Sequence, residues 1–176
     1  MNNEFGYTCT LSNVQFLNDD FVNIAGVHQN GKSNEDVTGV VFVNSELIKI
    51  PMEIFETFTN MHSLVVKGTK LALMNENTFE LCGKLKYLDA SDNQIRDINK
   101  SSLEKCTELE TLNLHNNFIT KIEPCNNFLI KLTKLQNLSL TRNMCIDENF
   151  KHEKLHENLK EMVLKKLNRC FSKWYF

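Results

Sequence analysis

The sequence has no long apolar run. No stretch approaches the roughly 18 consecutive apolar residues of a membrane-spanning helix, so no such helix is expected. It also lacks a basic excess: 20 Lys and Arg stand against 22 Asp and Glu, for a net charge of −2. That balance gives no general electrostatic case for nucleic acid, which is not expected as a partner. The opening "MNNEFGY" lacks the basic and apolar segments of a secretory leader. It reads either as the start of a cytosolic protein or as a mature chain with an added start methionine. No Ser-His-Asp or Cys-His constellation is present, and nothing calls for a cofactor. What the chain has in abundance is asparagine, recurring at one place relative to a Leu or Ile.

That recurrence exposes a repeat. Lines broken at Val37, Met61, Leu85, Leu109 and Leu135 come into register, with steps of 24, 24, 24 and 26 residues. Two of them read "LKYLDASDNQIRDINKSSLEKCTE" and "LETLNLHNNFITKIEPCNNFLIKLTK". The fourth column is Val40, Leu64, Leu88, Leu112, Leu138, and the sixth is Phe42, Val66, Ala90, Leu114, Leu140. These alternate with outward positions at the period of a strand. The ninth column, Ser45, Thr69, Asn93, Asn117, Asn143, holds short polar side chains that can satisfy backbone groups at a sharp bend. The eleventh (Leu47, Leu71, Ile95, Ile119, Cys145) and fourteenth (Ile50, Met74, Ile98, Ile122) are mainly apolar, and Phe55, Phe79, Leu103 and Phe128 fill the far side. One coil cannot bury these residues alone, so the coils must stack.

The open ends of such a stack need covers. Phe5, Tyr7, Cys9 and Leu11 alternate with small polar residues, and "FVNIAGVHQ" can return beside them, so residues 1–36 are expected to form an N-terminal β-hairpin cap. Residues 37–146 carry the repeats. Residues 147–176, with Leu155, Leu159, Met162, Leu164 and Leu167 at mostly helical intervals, are expected to form a C-terminal helical cap.

The column pattern L-x-x-L-x-L-x-x-N-x-L, with the cysteine-flanked C-terminal segment, resembles extracellular leucine-rich-repeat proteins of the insect type. "YTCTL" and "GKSNEDV" look like the N-terminal cap of short secreted members. The resemblance implies an α/β solenoid, a horseshoe with a parallel concave sheet. It also implies secretion and roles such as innate recognition or receptor-like adhesion. One departure is the single cysteine, Cys9, where many relatives carry a cluster.

Cys145, at an inward position of the last repeat, and Cys170, at the end of the expected helix, are read as a disulfide holding the cap to the last coil, with loop entropy favouring it by roughly 3–4 kcal/mol. Such a bond argues for an oxidising compartment. Cys82 and Cys106 share one column, where relatives carry an apolar residue. Adjacent coils are about 5 Å apart, within bonding reach, but parallel side-chain vectors disfavour a bond, so buried thiols are expected. Cys125 falls in the longer fourth repeat. Two sequons occur, at Asn99 and Asn137.

Two motifs suggest catalysis. "GVHQNGKS", Gly26 to Ser33, matches G-x-x-x-x-G-K-[ST], but a phosphate loop needs a helix after it, and "NEDVTGVVF" reads as a polar link into a strand. A turn and linker are expected. "HEKLH", His152 to His156, matches the zinc-protease pattern with Glu153 as the general base. No third ligand pattern follows it, so solvated helix-face residues are expected there, with a zinc-dependent hydrolase as an alternative.

Function is expected on the concave face, where the third, fifth and seventh columns point outward. The candidates are Val41, Val43, Val65, Lys67, Tyr87, Asp89, Thr111, Asn113, His115 and Ser139. The early rows are apolar and the later ones polar, which suits a protein or other macromolecule with one apolar and one hydrogen-bonding end. Tyr87 is the natural anchor. A competing reading is that the valines merely favour strand or lie beneath the cap. A second functional reading rests on residues 150–176, with seven Lys or Arg against three Asp or Glu and a terminal "KWYF". Such a helix can lie on an anionic membrane surface, although covering the last coil would use the same apolar face.

Overall fold

A computed structural model of the chain describes residues 6–17, 24, 26–74, 77–98, 102–122, 131–151 and 165. In chain order the strands are β1 (Thr8–Ser12), β2 (Gln15–Phe16), β3 (Gly39–Val43), β4 (Glu46–Leu47), β5 (Ser63–Val65) and β6 (Tyr87–Asp89). They continue as β7 (Asp97–Ile98), β8 (Thr111–Asn113), β9 (Lys121–Ile122), β10 (Asn137–Ser139) and β11 (Asn149–Lys151). One sheet runs β1-β3-β5-β6-β8-β10-β11, parallel throughout except for the last pair. The register aligns the fourth column in space: Val40 lies beside Leu64, Leu64 beside Leu88, Leu88 beside Leu112 and Leu112 beside Leu138. The molecule is a solenoid.

Burial follows the columns. The fourth, sixth, eleventh and fourteenth columns from Val40 to Ile122 all lie in one apolar core, which also takes in Phe55, Phe79 and Leu103 from the convex side. Each fully buried Leu or Ile contributes roughly 1.5–3 kcal/mol relative to exposure. The convex connections are short: an α-helix at Glu53–Thr57 and a one-turn 3-10 helix at Asn77–Phe79. Phe55 meets Phe79 edge to face at 5.8 Å, tying two coils together.

The ninth column closes each bend, and it does so between coils. The Asn93 Nδ2 group donates to Val66 O, Ala90 O and Ser91 O, while its Oδ1 accepts from the Thr69 and Leu71 N–H groups. Asn117 and Asn143 repeat the arrangement one and two coils on, accepting from Ile95 N–H and Ile119 N–H. A buried amide that donates and accepts at once is what a bend inside a coil requires. The eighth column explains why the chain can turn there. Asn13, Asn44, Gly68, Asp92, Asn116 and Arg142 all have φ between 50° and 67°. Gly, Asn and Asp tolerate that left-handed region best. Arg142 is the departure, and its N–H donates to Asp147 Oδ1 at 2.8 Å.

Three expectations need correction. β1 is not the arm of a hairpin: it pairs parallel with β3, Cys9 beside Val40 and Leu11 beside Phe42, and β2 pairs with β4 in the same way. None of the described residues from 24 to 29 is in a strand. The described residues between 6 and 36 therefore belong to a further coil of the stack. A step of 31 residues to the next line hid it from a 24-residue register, and period-two alternation does not distinguish a hairpin arm from a coil strand.

At the other end, Asn149–Lys151 is a strand rather than the start of a helix, lying antiparallel on β10 with Phe150 buried. Beyond it only Lys165 is described, in helical conformation. The rest of the expected helical cap lies outside the described residues.

Cys82 and Cys106 are joined by a disulfide, with Cα atoms 4.9 Å apart. Coil spacing puts the pair inside the bonding range. Cys145 is disulfide-bonded too; Cys170, its expected partner, lies outside the described residues, as does Cys125. Cys9 is a free thiol, and partial burial raises its pKa.

Candidate binding face

The parallel register turns the outward columns into rows. Gly39, Ser63, Tyr87, Thr111 and Asn137 form one row, and Val41, Val65, Asp89, Asn113 and Ser139 the next. Of the expected residues, Val41, Val65, Tyr87, Thr111, Asn113, His115 and Ser139 are half-buried, while Val43 and Lys67 are exposed. All belong to one face. Asp89 departs from expectation. Its side chain is buried, and Oδ1 accepts from the Ser91 N–H at 2.9 Å, so much of the carboxylate holds its own turn. Asn113 does the same one coil on, accepting from the His115 N–H at 3.1 Å. Such side-chain-to-backbone bonds fix the strand ends.

The C-terminal half of the face is linked by hydrogen bonds. His115 Nδ1 lies 2.7 Å from Thr141 Oγ1, which in turn lies 3.3 Å from Ser139 Oγ, and Asn137 Nδ2 donates to Thr111 Oγ1 at 3.2 Å. His115 is thus tied into the face rather than freely solvated. At its rim, Asp92 accepts from Asn116 Nδ2 at 2.7 Å and pairs with Lys67 at 3.3 Å. The Asn116 hydrogen bond, with Lys67 beside it, holds the Asp92 carboxyl below its ordinary pKa. Asn137 is half-buried in this network, and Asn99 lies outside the described residues.

One part of the face was missed. A cleft of about 380 Å³ opens where the strands begin, lined by Thr38, His62, Ser63, Lys86, Tyr87, Glu110 and Thr111. Lys86 and Glu110 face each other across it at 3.7 Å. Ser63 Oγ is buried there without a hydrogen-bond partner among the described residues. The signal was available: the second column of the register, Thr38, His62, Lys86 and Glu110, is polar in every line.

The phosphate-loop match resolves differently. Ser33 caps a 3-10 helix, Asn34–Asp36, so a helix of one turn does follow, with Ser33 N–H donating to Asp36 Oδ2 at 2.9 Å. Three residues give no helix dipole to hold a phosphate. The donors of Gln29, Lys32 and Ser33 are occupied. Lys32 Nζ pairs with Asp36 at 2.9 Å and stands 5.8 Å over the Tyr7 ring. The Gln29 N–H donates to Tyr7 Oη at 3.1 Å. His28 bridges Tyr7 Oη at 3.2 Å and Asn34 Oδ1 at 2.7 Å, the Asn34 oxygen accepting from Nε2. Hydrogen bonding to Lys32, then to the Ser33 N–H, lowers the Asp36 pKa. The stretch wraps Tyr7.

The "HEKLH" segment and nearly all of residues 150–176 lie outside the described residues. Among the described residues no cluster of three metal-ligating side chains occurs, and no helix is long and apolar enough to cross a membrane.

Residues 84–127 match the family model for leucine-rich repeats, in two copies. The fold is a leucine-rich-repeat solenoid. Solved structures agree. The LRIM1/APL1C complex is similar at a TM-score of 0.65 and 19% identity, over 77% of this chain and 24% of that one. The APL1 leucine-rich-repeat domain gives 0.63 and 18%, over 78% and 36%. The complex of Toll with Spatzle, described as a hub in Drosophila development and innate immunity, gives 0.57 and 21%, over 61% and 14%. This chain therefore spans well under half the length of each. Compared with curated protein sequences, it matches none.

Proposed function

We propose that this leucine-rich-repeat chain is a secreted, non-enzymatic binding module that holds a protein or other macromolecule against its concave face. The observation that carries this reading is the graded surface on a rigid sheet: Val41 and Val65 at one end, Tyr87 and Thr111 in the middle, and Asn113, His115 and Ser139 at the other. A rigid frame presenting half-buried side chains orders little on binding, which favours affinity. Neighbours of the same fold occur in complexes with protein partners, Toll with Spatzle and LRIM1 with APL1C. Secretion is supported by the Cys82–Cys106 bond and the bonded Cys145, since disulfides persist in oxidising compartments. A role in innate recognition fits the same neighbours.

The test is affinity capture from native extracellular fluid. Tyr87→Ala with Thr111→Ala removes two mid-face contacts and spares Asp89, whose loss would loosen the sheet. The double variant should lose most of the captured partner while its unfolding midpoint moves only a few degrees, and Lys105→Ala, away from the face, should capture normally. Capture unaltered by the double variant contradicts the reading.

A further inference from the structure

Of the two Asn-x-Ser triplets in the chain, the one from Asn137 to Ser139 lies on the concave face and makes up β10, the last parallel strand of the sheet. Leu138 points inward and is completely buried, so strand alternation turns Asn137 and Ser139 outward together. An N-linked glycan needs that pair: Asn, with Ser or Thr two positions on and no proline between. Both side chains are half-buried. Gln136, before Asn137 in the chain, and Lys151, opposite it on β11, are exposed. Thr111 and Asn113, on the neighbouring strand of the face, have short side chains.

Hydrogen bonding sets Asn137 apart from the asparagines that build the stack. Asn93, Asn117 and Asn143 each turn Nδ2 toward three carbonyls and accept a backbone N–H at Oδ1, so their amides are consumed inside the coil. Asn137 Nδ2 makes one bond, to Thr111 Oγ1 at 3.2 Å. A primary amide has two N–H groups. The second has no partner among the described residues, and it is the hydrogen that a glycan replaces. The bond to Thr111 survives the modification.

We propose that Asn137 carries an N-linked glycan, which occupies the C-terminal end of the concave face. A glycan there presupposes secretion, so it rests on the reading proposed for the whole chain. In the transfer, made by the transferase of the secretory pathway, the amide nitrogen attacks the anomeric carbon of a lipid-pyrophosphate-linked oligosaccharide. The C–N bond forms, the C–O bond to the pyrophosphate breaks, and the amide proton passes to a base. The acceptor is the extended chain before it folds, so half-burial does not block the transfer. The finished fold has only to leave the sugar an outward path, and the third column provides one. Strands about 4.8 Å apart put Tyr87 about 10 Å and Val41 about 19 Å from β10. The glycan therefore takes the polar end of the face, and the apolar end with Tyr87 remains for a partner.

The full chain, exported from eukaryotic cells behind a cleavable leader, tests this by mass spectrometry before and after peptide:N-glycosidase. That enzyme deamidates the asparagine it frees, so peptide mapping identifies the carrier. The wild type should lose the mass of a glycan and show deamidation at position 137 in most molecules. Asn137→Gln and Ser139→Ala should each abolish it, whereas Ser139→Thr, which keeps a hydroxyl, should retain it. Position 137 recovered unmodified overturns the proposal, whether or not Asn99 carries a glycan. Transfer precedes export, so a chain held inside the cell is scored in the same way, and its retention counts against secretion alone.

Discussion

The ninth column reads differently along the stack. In the central coils Asn93, Asn117 and Asn143 each donate to carbonyls of two successive coils and accept from the previous coil. Toward the N-terminus Ser45 makes two bonds, to Val43 O and from the Val14 N–H, and Val14 in the same column has no side-chain donor or acceptor at all. The backbone bend is the same in both regions, as the positive φ of Asn13, Asn44, Asp92 and Asn116 shows. The conformation is thus set by the eighth column, and the coil-to-coil adhesion by the ninth. The first coil is held less by ninth-column side chains than by parallel strand pairing and by the loop around Tyr7.

That contrast can be broken by substitution. The largest effect is expected for Asn117→Ala, which strands a buried N–H at Ile95 and carbonyls at Ala90 and Leu114: about 4 kcal/mol in denaturant unfolding. Removing the disulfide with Cys82→Ala and Cys106→Ala should cost about 3 kcal/mol on the loop-entropy model, since the bond closes a loop of 24 residues. Ser45→Ala should cost about 1 kcal/mol. Equal losses for Ser45→Ala and Asn117→Ala would erase the distinction between the two regions.

The smallest effect is electrostatic. Asp92 has a lowered folded pKa, so its stabilising contribution is present above the unfolded carboxylate pKa and fades as pH falls through the folded value. Asn116→Ala removes the largest cause, and the Asp92 titration midpoint read by NMR should rise toward the ordinary range. An unmoved midpoint would assign the lowering to Lys67 instead.

Much of the fold was legible because column periodicity is a packing requirement: Leu64, Leu88 and Leu112 recur in sequence because they touch in space. The first coil was not legible, since its longer step put Cys9, Leu11, Val14 and Phe16 out of phase with a 24-residue register. The strand at Asn149–Lys151 was hidden inside a helical pattern, and only the unpaired edge of β10 makes it a strand. The concave rows were read from alternation alone. Alternation gives direction but not depth, so Asp89, bonded to its own turn, looked as available as Tyr87. The bond between Cys82 and Cys106 was within reach of the coil spacing, but register alone does not tell a bonded pair from two stacked thiols.

The central claim is that successive coils share one interior in sequence order. Methyl NOEs in the labelled protein test it most directly. Contacts should link Leu64 to Leu88, Leu88 to Leu112 and Leu112 to Leu138, with Leu11 reaching Phe42, and none should skip a coil. Contacts from Leu64 directly to Leu112, or the absence of the Leu11 to Phe42 contact, would contradict the stack described.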